Sequence, residues 1–304
     1  MARLTDEEFW DESYKASLEN SPSFTKPKLL LWATKLLGQR IVAYTRSYDD
    51  YLLWEVIYKS YLPEIAGAKA LEIGSAPGDY LVRLNQEFGV IPYGIEYTES
   101  GAELNRRIFT SSGLNPANII CANFFSEAFQ SQHKEYFDIV VSRGFIEHFD
   151  NVEEVIEKHL ALLKPGGHLI ISVPNFRGVY YIWLRLFRKK VLAMHNLSVM
   201  QKREFIKLFR ARGLSTLFCG YYGMFSLNHL HAAPDSPLRF ITAYLHNLQK
   251  LFNLLFRLAF AHKGMESRFF SPYLLFMGVK PSEVAAAPRF EGTQSSLPLQ
   301  QGNR

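Results

Sequence analysis

Between residues 68 and 175, short apolar runs alternate with segments that have the 3.6-residue period of helices, and this alternation constrains the fold more than any other feature. The apolar runs lie at 68–74, 91–97, 117–123, 137–143 and 168–175. Strands and helices that alternate at this spacing form βαβ units, in which the strands run parallel. The sequence therefore predicts an α/β fold built on a mostly parallel sheet.

The segments on either side of this alternation complete the predicted organisation. Further strand-like runs lie at 214–223 and 271–280. Apolar residues at helical spacing precede Pro63, and the end of the chain is too poor in apolar residues to pack. We therefore divide the chain into an N-terminal helical segment (1–62), one domain (63–280) with helical insertions at 176–200 and 224–270, and a disordered tail (281–304).

Composition excludes several classes of protein. The chain of 304 residues carries a net charge of +5, which is too small to indicate nucleic-acid binding by itself. Its two cysteines, Cys121 and Cys219, have neither disulfide-scaffold nor metal-ligand spacing, so we predict reduced thiols and no metal. The polar start is not a signal peptide, and the apolar run Leu238–Phe260 carries basic residues that disfavour a membrane span. We expect a cytoplasmic protein.

The stretch LEIGSAPGDY (71–80) marks the predicted ligand site, because it forms the turn between the first strand and the next helix. Its glycines, Gly74 and Gly78, do not have the Gly-x-Gly-x-x-Gly spacing of a dinucleotide site, which disfavours a nicotinamide dehydrogenase. Asp79, the expected helix N-cap, would repel a pyrophosphate. An acidic turn suits a cationic ligand such as S-adenosylmethionine, which carries a sulfonium and an ammonium group.

Two further strand ends fit an adenosine. Glu96, at the end of the second strand, is placed to accept hydrogen bonds from both ribose hydroxyls. Asn123 ends the third strand, where its amide could bind the adenine edge with Phe124 beside the ring.

With these motifs in place, residues 68–175 resemble the core of class I S-adenosylmethionine-dependent methyltransferases, of the small-molecule type that includes quinone-biosynthesis O-methyltransferases. The matching stretches are LEIGSAPG, YGIEYTES, CANFF, FDIVVSRGFIEHFDN and LLKPGGHLIISVPN. In the first motif Ala76 replaces the middle glycine of the family. The resemblance implies a Rossmann-like, seven-stranded, mostly parallel sheet with helices on both faces and one antiparallel edge strand, for which 271–280 is the candidate.

The resemblance also implies the site residues. Glu72 would contact the ammonium group of the cofactor or order the glycine loop through backbone N–H bonds, and Arg143 would approach a carboxylate or form a surface salt bridge. The implied cofactor-binding residues are Glu72, Gly74, Ser75, Ala76, Gly78, Glu96, Tyr97, Asn123, Phe124, Ser142 and Arg143.

Two histidines are candidates for chemistry. His148, in SRGFIEHFDN, is a candidate general base because an imidazole titrates near neutral pH, although the same position suits a packing or capping role. His195, in AMHNLSVM, would face the substrate pocket or serve the structure.

The insertions suggest a partner. Residues 176–213 hold ten Lys or Arg against the single acid Glu204, and 238–261 repeats an amphipathic pattern. Such helices predict either contact with a membrane surface or a substrate lid with a solvated basic face. A lipid-like acceptor fits the first alternative.

We interpret the chain as an enzyme that transfers a methyl group from S-adenosylmethionine to a small or lipid-like molecule, at oxygen, by direct displacement. The alternatives are an RNA methyltransferase, suggested by the Ala-Pro-Gly of the loop, and a non-catalytic binding protein with the same fold. SRGFIEH and PNFRG lack the Asp and Lys that RNA 2′-O-methyltransferases place at these strand ends.

Overall fold

The computed structural model describes residues 3–5, 7–19, 47–230, 239–264 and 267–282. Residues 20–46 of the predicted N-terminal segment and 283–304 of the predicted tail lie outside this range. Seven strands form one sheet: β1 (Lys69–Ile73), β2 (Ile91–Glu96), β3 (Ile119–Cys121), β4 (Phe137–Arg143), β5 (Leu163–Pro174), β6 (Ser215–Tyr222) and β7 (Tyr273–Val279).

Helices connect and cover these strands. Those described are α1 (Glu7–Glu19), α2 (Tyr48–Tyr51, continued by a π-helical Leu52–Tyr58 and by Lys59–Tyr61), α3 (Asp79–Phe88), α4 (Glu99–Ser111), α5 (Glu127–Gln132), α6 (Val152–Leu162), α7 (Val179–Phe187), α8 (Lys189–Ala193), α9 (Lys202–Arg210) and α10 (Arg239–Phe260). Short 3₁₀ turns lie at Pro116–Asn118, Ile146–His148, Leu197–Met200 and Leu227–Leu230.

The strand order is β3-β2-β1-β4-β5-β7-β6. Strands β1 to β5 pair in parallel, and β7 runs antiparallel to both β5 and β6. The predicted α/β class and seven-stranded, mostly parallel sheet are confirmed. The antiparallel strand belongs to the hairpin at the edge, as expected, but β6 holds the outermost position and β7 lies one place inside it.

The sheet is covered on both faces because its strands are apolar on both sides. In β4, Ile139 and Val141 belong to one hydrophobic cluster and Val140, between them, belongs to another. The first cluster includes Trp54 of α2, and the second includes Phe209 of α9, whose ring stacks on β7. This arrangement leaves the carboxyl ends of the strands to form the site.

Three details of local structure differ from the sequence prediction. The run Pro165-Gly166-Gly167, whose residues favour a turn that would end the helix before β5, instead forms a bulge inside β5, where the pairing moves from Leu163–Phe137 to His168–Ile139. The predicted helix at 176–192 is broken into α7 and α8 by Arg188, whose φ of −145° is extended. No proline or glycine signals that break.

The start of α3 also differs. Gly78, with a φ of +109°, holds the cap position, so the expected N-cap Asp79 is instead the first residue of the helix. Its carboxylate is still favourable there because the N-terminal turn of a helix carries partial positive charge.

None of the helices in the described ranges is long and apolar enough to cross a membrane. The longest of them, α10, has 22 residues and carries Lys250 and Arg257 within its length.

Candidate functional site

A cavity opens at the carboxyl ends of β1, β2, β3 and β4, where the switch point of a parallel sheet places ligand sites. Each strand end contributes to its walls, and α1 with the residues before it covers one side. The lining residues are Arg3, Thr5, Trp10, Tyr14, Ile73, Gly74, Ala76, Ile95, Glu96, Tyr97, Ala122, Phe124, Phe125, Arg143, Gly144, Phe145, His148 and Phe149.

The glycine loop after β1 is held by Asn105 of α4. The Asn105 amide donates to the Ser75 hydroxyl at 2.6 Å, and a Cβ on Gly78 would lie 2.1 Å from the Asn105 carbonyl oxygen. Gly74 adopts a φ of +69° and donates its N–H to the Ile95 carbonyl at 3.0 Å. Ser75 and Gly78 therefore shape the loop from behind, whereas Gly74 and Ala76 line the cavity.

Glu96 has the most thoroughly bonded carboxylate of the site. One of its oxygens accepts from the N–H of Tyr97 at 2.9 Å, and from the N–H and hydroxyl of Thr98 at 3.1 Å each. Burial raises the pKa of Glu96, and these hydrogen bonds oppose the rise. The side chain lines the cavity in one fixed position, as a group that binds a sugar diol must.

Glu72 and Arg143 form an ion pair across the ends of β1 and β4. The Arg143 Nε donates to Glu72 Oε1 at 2.9 Å, and its guanidinium lies 4.0 Å above the ring of Tyr80. Glu72 Oε2 is buried without a hydrogen-bond partner among the described residues. Burial raises the pKa of Glu72 to about 7 even though Arg143 opposes the shift. Of the predicted alternatives, Arg143 makes a salt bridge, and its partner Glu72 bonds to Arg143 rather than to the glycine loop.

The end of β3 differs in detail from the prediction. Asn123 is exposed, and its carbonyl oxygen accepts from the N–H of Phe125 at 3.0 Å and from Arg3 at 3.4 Å. The cavity wall here consists of Phe124 and Phe125, with the Arg3 guanidinium 4.6 Å above the ring of Tyr97. Asn123 therefore stands beside the cavity rather than in its lining.

Ser142 lies behind the cavity. It is fully buried, and its hydroxyl pairs with His159 Nε2 at 3.0 Å. His159 in turn bonds the Val155 carbonyl at 2.7 Å, so Ser142 ties β4 to α6. The predicted cofactor contact of the Ser142 side chain is thus replaced by a structural one.

A second cavity adjoins the first. The two share Trp10, Arg143, Gly144 and His148 as lining residues. The remaining residues of the second cavity are Asp49, Asp50, Leu53, Glu147, Ser172, Val173, Pro174, His195, Tyr222 and Tyr273. The arrangement places a mixed aromatic and polar pocket directly beside the first cavity.

Both candidate histidines line this second cavity. The ring of His148 lies 4.5 Å from that of His195, measured between centroids, and burial lowers the pKa of each imidazole. Nδ1 of His148 contacts the Thr5 hydroxyl at 2.7 Å and the Met194 carbonyl at 3.0 Å. The predicted position of His148 at the reacting end is consistent with this geometry, while its role as a base stays a prediction.

Sequence reasoning missed the residues before and within α1. The backbone of Arg3 bridges that of Phe149, and the Leu4 N–H donates to the His148 carbonyl at 2.8 Å. Trp10 and Tyr14 complete the wall. No spacing in the sequence signals these contacts, since they join residues more than a hundred positions apart.

The comparisons with known proteins decide the family. A model of the methyltransferase domain family matches residues 47–218, more than half of the chain. The chain belongs to the methyltransferase domain family. The predicted resemblance is confirmed, and with it S-adenosylmethionine as the cofactor. The match begins inside the predicted N-terminal segment, so α2 is part of what this family shares.

Two curated relatives are both described as ubiquinone biosynthesis O-methyltransferase. The protein of Shewanella sp. (strain ANA-3) is 26% identical over 143 residues, covering 47% of this chain and 59% of the relative. That of Actinobacillus pleuropneumoniae serotype 5b (strain L20) is 27% identical over 142 residues, covering 46% and 60%. The matched part of this methyltransferase-family chain thus spans about three fifths of the length of these relatives.

Among solved structures, the cyclase SpnF is similar with a TM-score of 0.51, covering 77% of this chain and 81% of that chain at 14% identity. At this identity the likeness shows the fold alone.

The residues present fit the cofactor. The unpartnered oxygen of Glu72 and the fixed carboxylate of Glu96 supply acceptors for a cationic amino-acid end and for a ribose diol. The aromatic rings at the end of β3 supply an apolar wall for an adenine.

Replacing Glu96 with alanine is predicted to abolish tight cofactor binding. The ribose would lose charge-assisted hydrogen bonds, each of about 1.5–3 kcal/mol, so the affinity for S-adenosylhomocysteine should fall by about 100-fold or more. Isothermal titration calorimetry measures this. The matched control is Glu99→Gln, which removes an exposed carboxylate one turn away, and an equal loss in both variants would contradict the assignment.

Cofactor affinity is also predicted to rise with pH because of Glu72. Since its pKa is about 7, most of the carboxyl is protonated at lower pH and cannot pair with the ammonium group of the ligand. The competent fraction, and with it the affinity, should increase about tenfold from about pH 6 to about pH 8. In Glu72→Gln this component of the pH dependence should vanish, and any remainder belongs to the ligand; an unchanged profile would contradict the prediction.

Proposed function

We propose that this chain transfers the methyl group of S-adenosylmethionine to a hydroxyl oxygen of a small or lipid-like acceptor. The single observation that carries the proposal is the junction of the two cavities at Arg143, Gly144 and His148. A cofactor held by Glu72 and Glu96 in the first cavity would have its reactive end toward this junction. The second cavity would then hold the acceptor.

The bound cofactor supplies an electrophilic methyl group on a positively charged sulfur with a good leaving group. The chain contributes position and a dry environment, which together can supply much of the rate enhancement. Trp10 and the residues before α1 cover the junction and exclude water from it. His148 stands at the junction, beside the proposed position of the acceptor hydroxyl.

The lining of the second cavity favours an amphipathic acceptor. Leu53, Val173 and the rings of Tyr222 and Tyr273 provide apolar surface. Arg143 and His148 provide polar side chains at the junction. A phenol with an apolar tail would place its hydroxyl at the polar end. The relatives named for O-methylation in ubiquinone biosynthesis support this choice of acceptor.

A transfer assay tests the proposal. S-adenosylmethionine with an isotopically labelled methyl group is incubated with the full chain and with catechols that carry isoprenoid tails of increasing length. We expect label in an O-methyl ether, with turnover increasing as the tail lengthens, and loss of turnover in Glu96→Ala. Label recovered only in amines, or no transfer to any acceptor despite cofactor binding, would contradict the proposal.

We also propose that α7 and α10 bring this site to a membrane surface. Ile182, Leu186 and Phe187 of α7 are 54%, 66% and 47% exposed, and Leu258 of α10 is 66% exposed. The inner faces of both helices contribute to one hydrophobic cluster, which also contains Leu227 and Leu230. The exposed Lys189 and Lys190 follow α7 directly, and this combination of apolar and basic residues suits an anionic interface.

Binding to vesicles is predicted to depend on Lys189 and Lys190, the basic residues that follow α7. Sedimentation with anionic phospholipid vesicles at low salt should retain the wild-type chain. One basic residue near the surface contributes about 1 kcal/mol, and replacing Lys190 with glutamate also adds a negative charge that the anionic lipid repels. The substitution should therefore weaken binding by roughly tenfold or more. The control is Lys134→Glu, also an exposed residue, which lies in the turn before the amino end of the central strand β4. Equal retention of both variants would favour the alternative of a substrate lid.

A further inference from the structure

Glu147 is a buried carboxylate for which the described part of the chain supplies no partner. Its side chain is 0% exposed, and neither Oε1 nor Oε2 has a hydrogen bond. A buried carboxylate is stable in its charged form only when it is paired, hydrogen-bonded or bound to a cation. Glu147 lines the second cavity, so the missing partner can arrive there.

The contacts of two imidazoles beside Glu147 favour the same tautomer in both rings. Nδ1 of His148 lies 3.0 Å from the Met194 carbonyl, and Nδ1 of His195 lies 2.6 Å from the Val191 carbonyl. A carbonyl oxygen only accepts, so these contacts favour the tautomer in which each Nδ1 donates, and the Thr5 hydroxyl 2.7 Å from His148 Nδ1 can act as a further acceptor. In that tautomer each Nε2 carries the free lone pair. Histidines that bind metal ions are oriented in this way, with the other ring nitrogen donating to a carbonyl or carboxylate.

The three side chains converge. One ligand atom from each of Glu147, His148 and His195 lies within 4.8 Å of the others. Ligands in a tetrahedral site, each about 2.1 Å from the ion, lie about 3.4 Å from one another, so a movement of up to roughly 0.8 Å by each side chain closes the set. Backbone bonds hold the parts together, because the Asn196 N–H donates to the Glu147 carbonyl at 2.6 Å.

We propose that Glu147, His148 and His195 bind one divalent transition-metal cation on the wall of the second cavity. Two imidazoles and one carboxylate are the donor set that Zn²⁺, Mn²⁺ and Fe²⁺ accept, and three protein ligands leave a coordination position open to the cavity. Cys/His spacing could not reveal this site, because its ligands are two adjacent residues and a histidine in the insertion after β5.

The open position takes the acceptor oxygen, a step that rests on the proposed function. A cation lowers the pKa of a bound hydroxyl, so the acceptor loses its O–H proton to water at the cavity mouth. The resulting oxyanion attacks the methyl carbon, and a new O–C bond forms as the C–S bond breaks. The electron pair of that bond stays on sulfur, which becomes a neutral thioether. Charge and atoms balance, and no oxidant or reductant is needed.

Zinc titration tests the site independently of methyl transfer. The full chain is dialysed against a chelator and titrated with ZnCl₂ in a calorimeter, with the expectation of one Zn²⁺ per chain. Glu147→Gln, which keeps the shape of the side chain, and His195→Ala should each weaken binding at least about tenfold, the smallest effect expected even for a residue that only orients a ligand. S-adenosylhomocysteine binding should persist in both variants, which shows that they are folded.

The matched control is His133→Ala, because His133 lines a separate cavity beside Phe129. It should bind Zn²⁺ as the wild type does. Equal Zn²⁺ affinity in the wild type and in Glu147→Gln would overturn the proposed site. Zinc binding that follows the predicted pattern in a chain that methylates no acceptor would leave the site standing and count against the proposed function alone. Transfer to a catechol that persists after chelation would overturn the role of the ion in the reaction.

Discussion

Burial of carboxylates at the tip of the sheet is the constraint on which the site depends. Three carboxylates here are each at most 2% exposed: Glu72 near the end of β1, Glu96 at the end of β2 and Glu147 beyond β4. A buried negative charge requires compensation. The fold provides the most compensation for Glu96, less for Glu72 and the least for Glu147. Glu96 has three hydrogen bonds on one oxygen, Glu72 has one ion pair and one unpartnered oxygen, and Glu147 has no partner among the described residues. The missing interactions match the ligand groups inferred above: a ribose diol for Glu96, an ammonium group for Glu72 and a metal cation for Glu147.

The segment that covers the first cavity, residues 3–5 and α1, links the two cavities through His148. Thr5 contacts His148 Nδ1, and the backbone of Leu4 bonds the His148 carbonyl. Trp10 packs edge-on against the same imidazole. Movement of this segment would therefore expose the junction and release His148 together. Entry of cofactor and ordering of the reacting end are coupled by that geometry, because the segment that closes the first cavity also fixes a wall of the second.

The sheet and the first motif could be predicted because their signals are local. A run such as FDIVVSR is apolar on both sides, and β4 has the predicted bounds of 137–143. Gly74 and Glu96 likewise follow strand ends that the sequence marks. The contacts of residues 3–5 and of α1 could not be predicted, since tertiary packing alone brings them to the site. For His195 the sequence left a pocket-facing and a structural position open, and packing places it in the lining of the second cavity. Arg188 breaks the helix of the insertion within a basic run that has no proline or glycine.

The fold does not determine the reaction. A structure named as a cyclase shares it with this chain, so the chemistry must be decided by side chains that differ between such proteins. In this chain the strand ends of the first cavity follow the motifs of its family. The second cavity combines such motifs with parts outside them, namely α1, the insertion that carries His195, and the hairpin that carries Tyr222 and Tyr273. Because acceptor and metal chemistry both depend on these parts, relatives that keep Glu96 but lack His195 should bind the same methyl donor and differ in what they methylate.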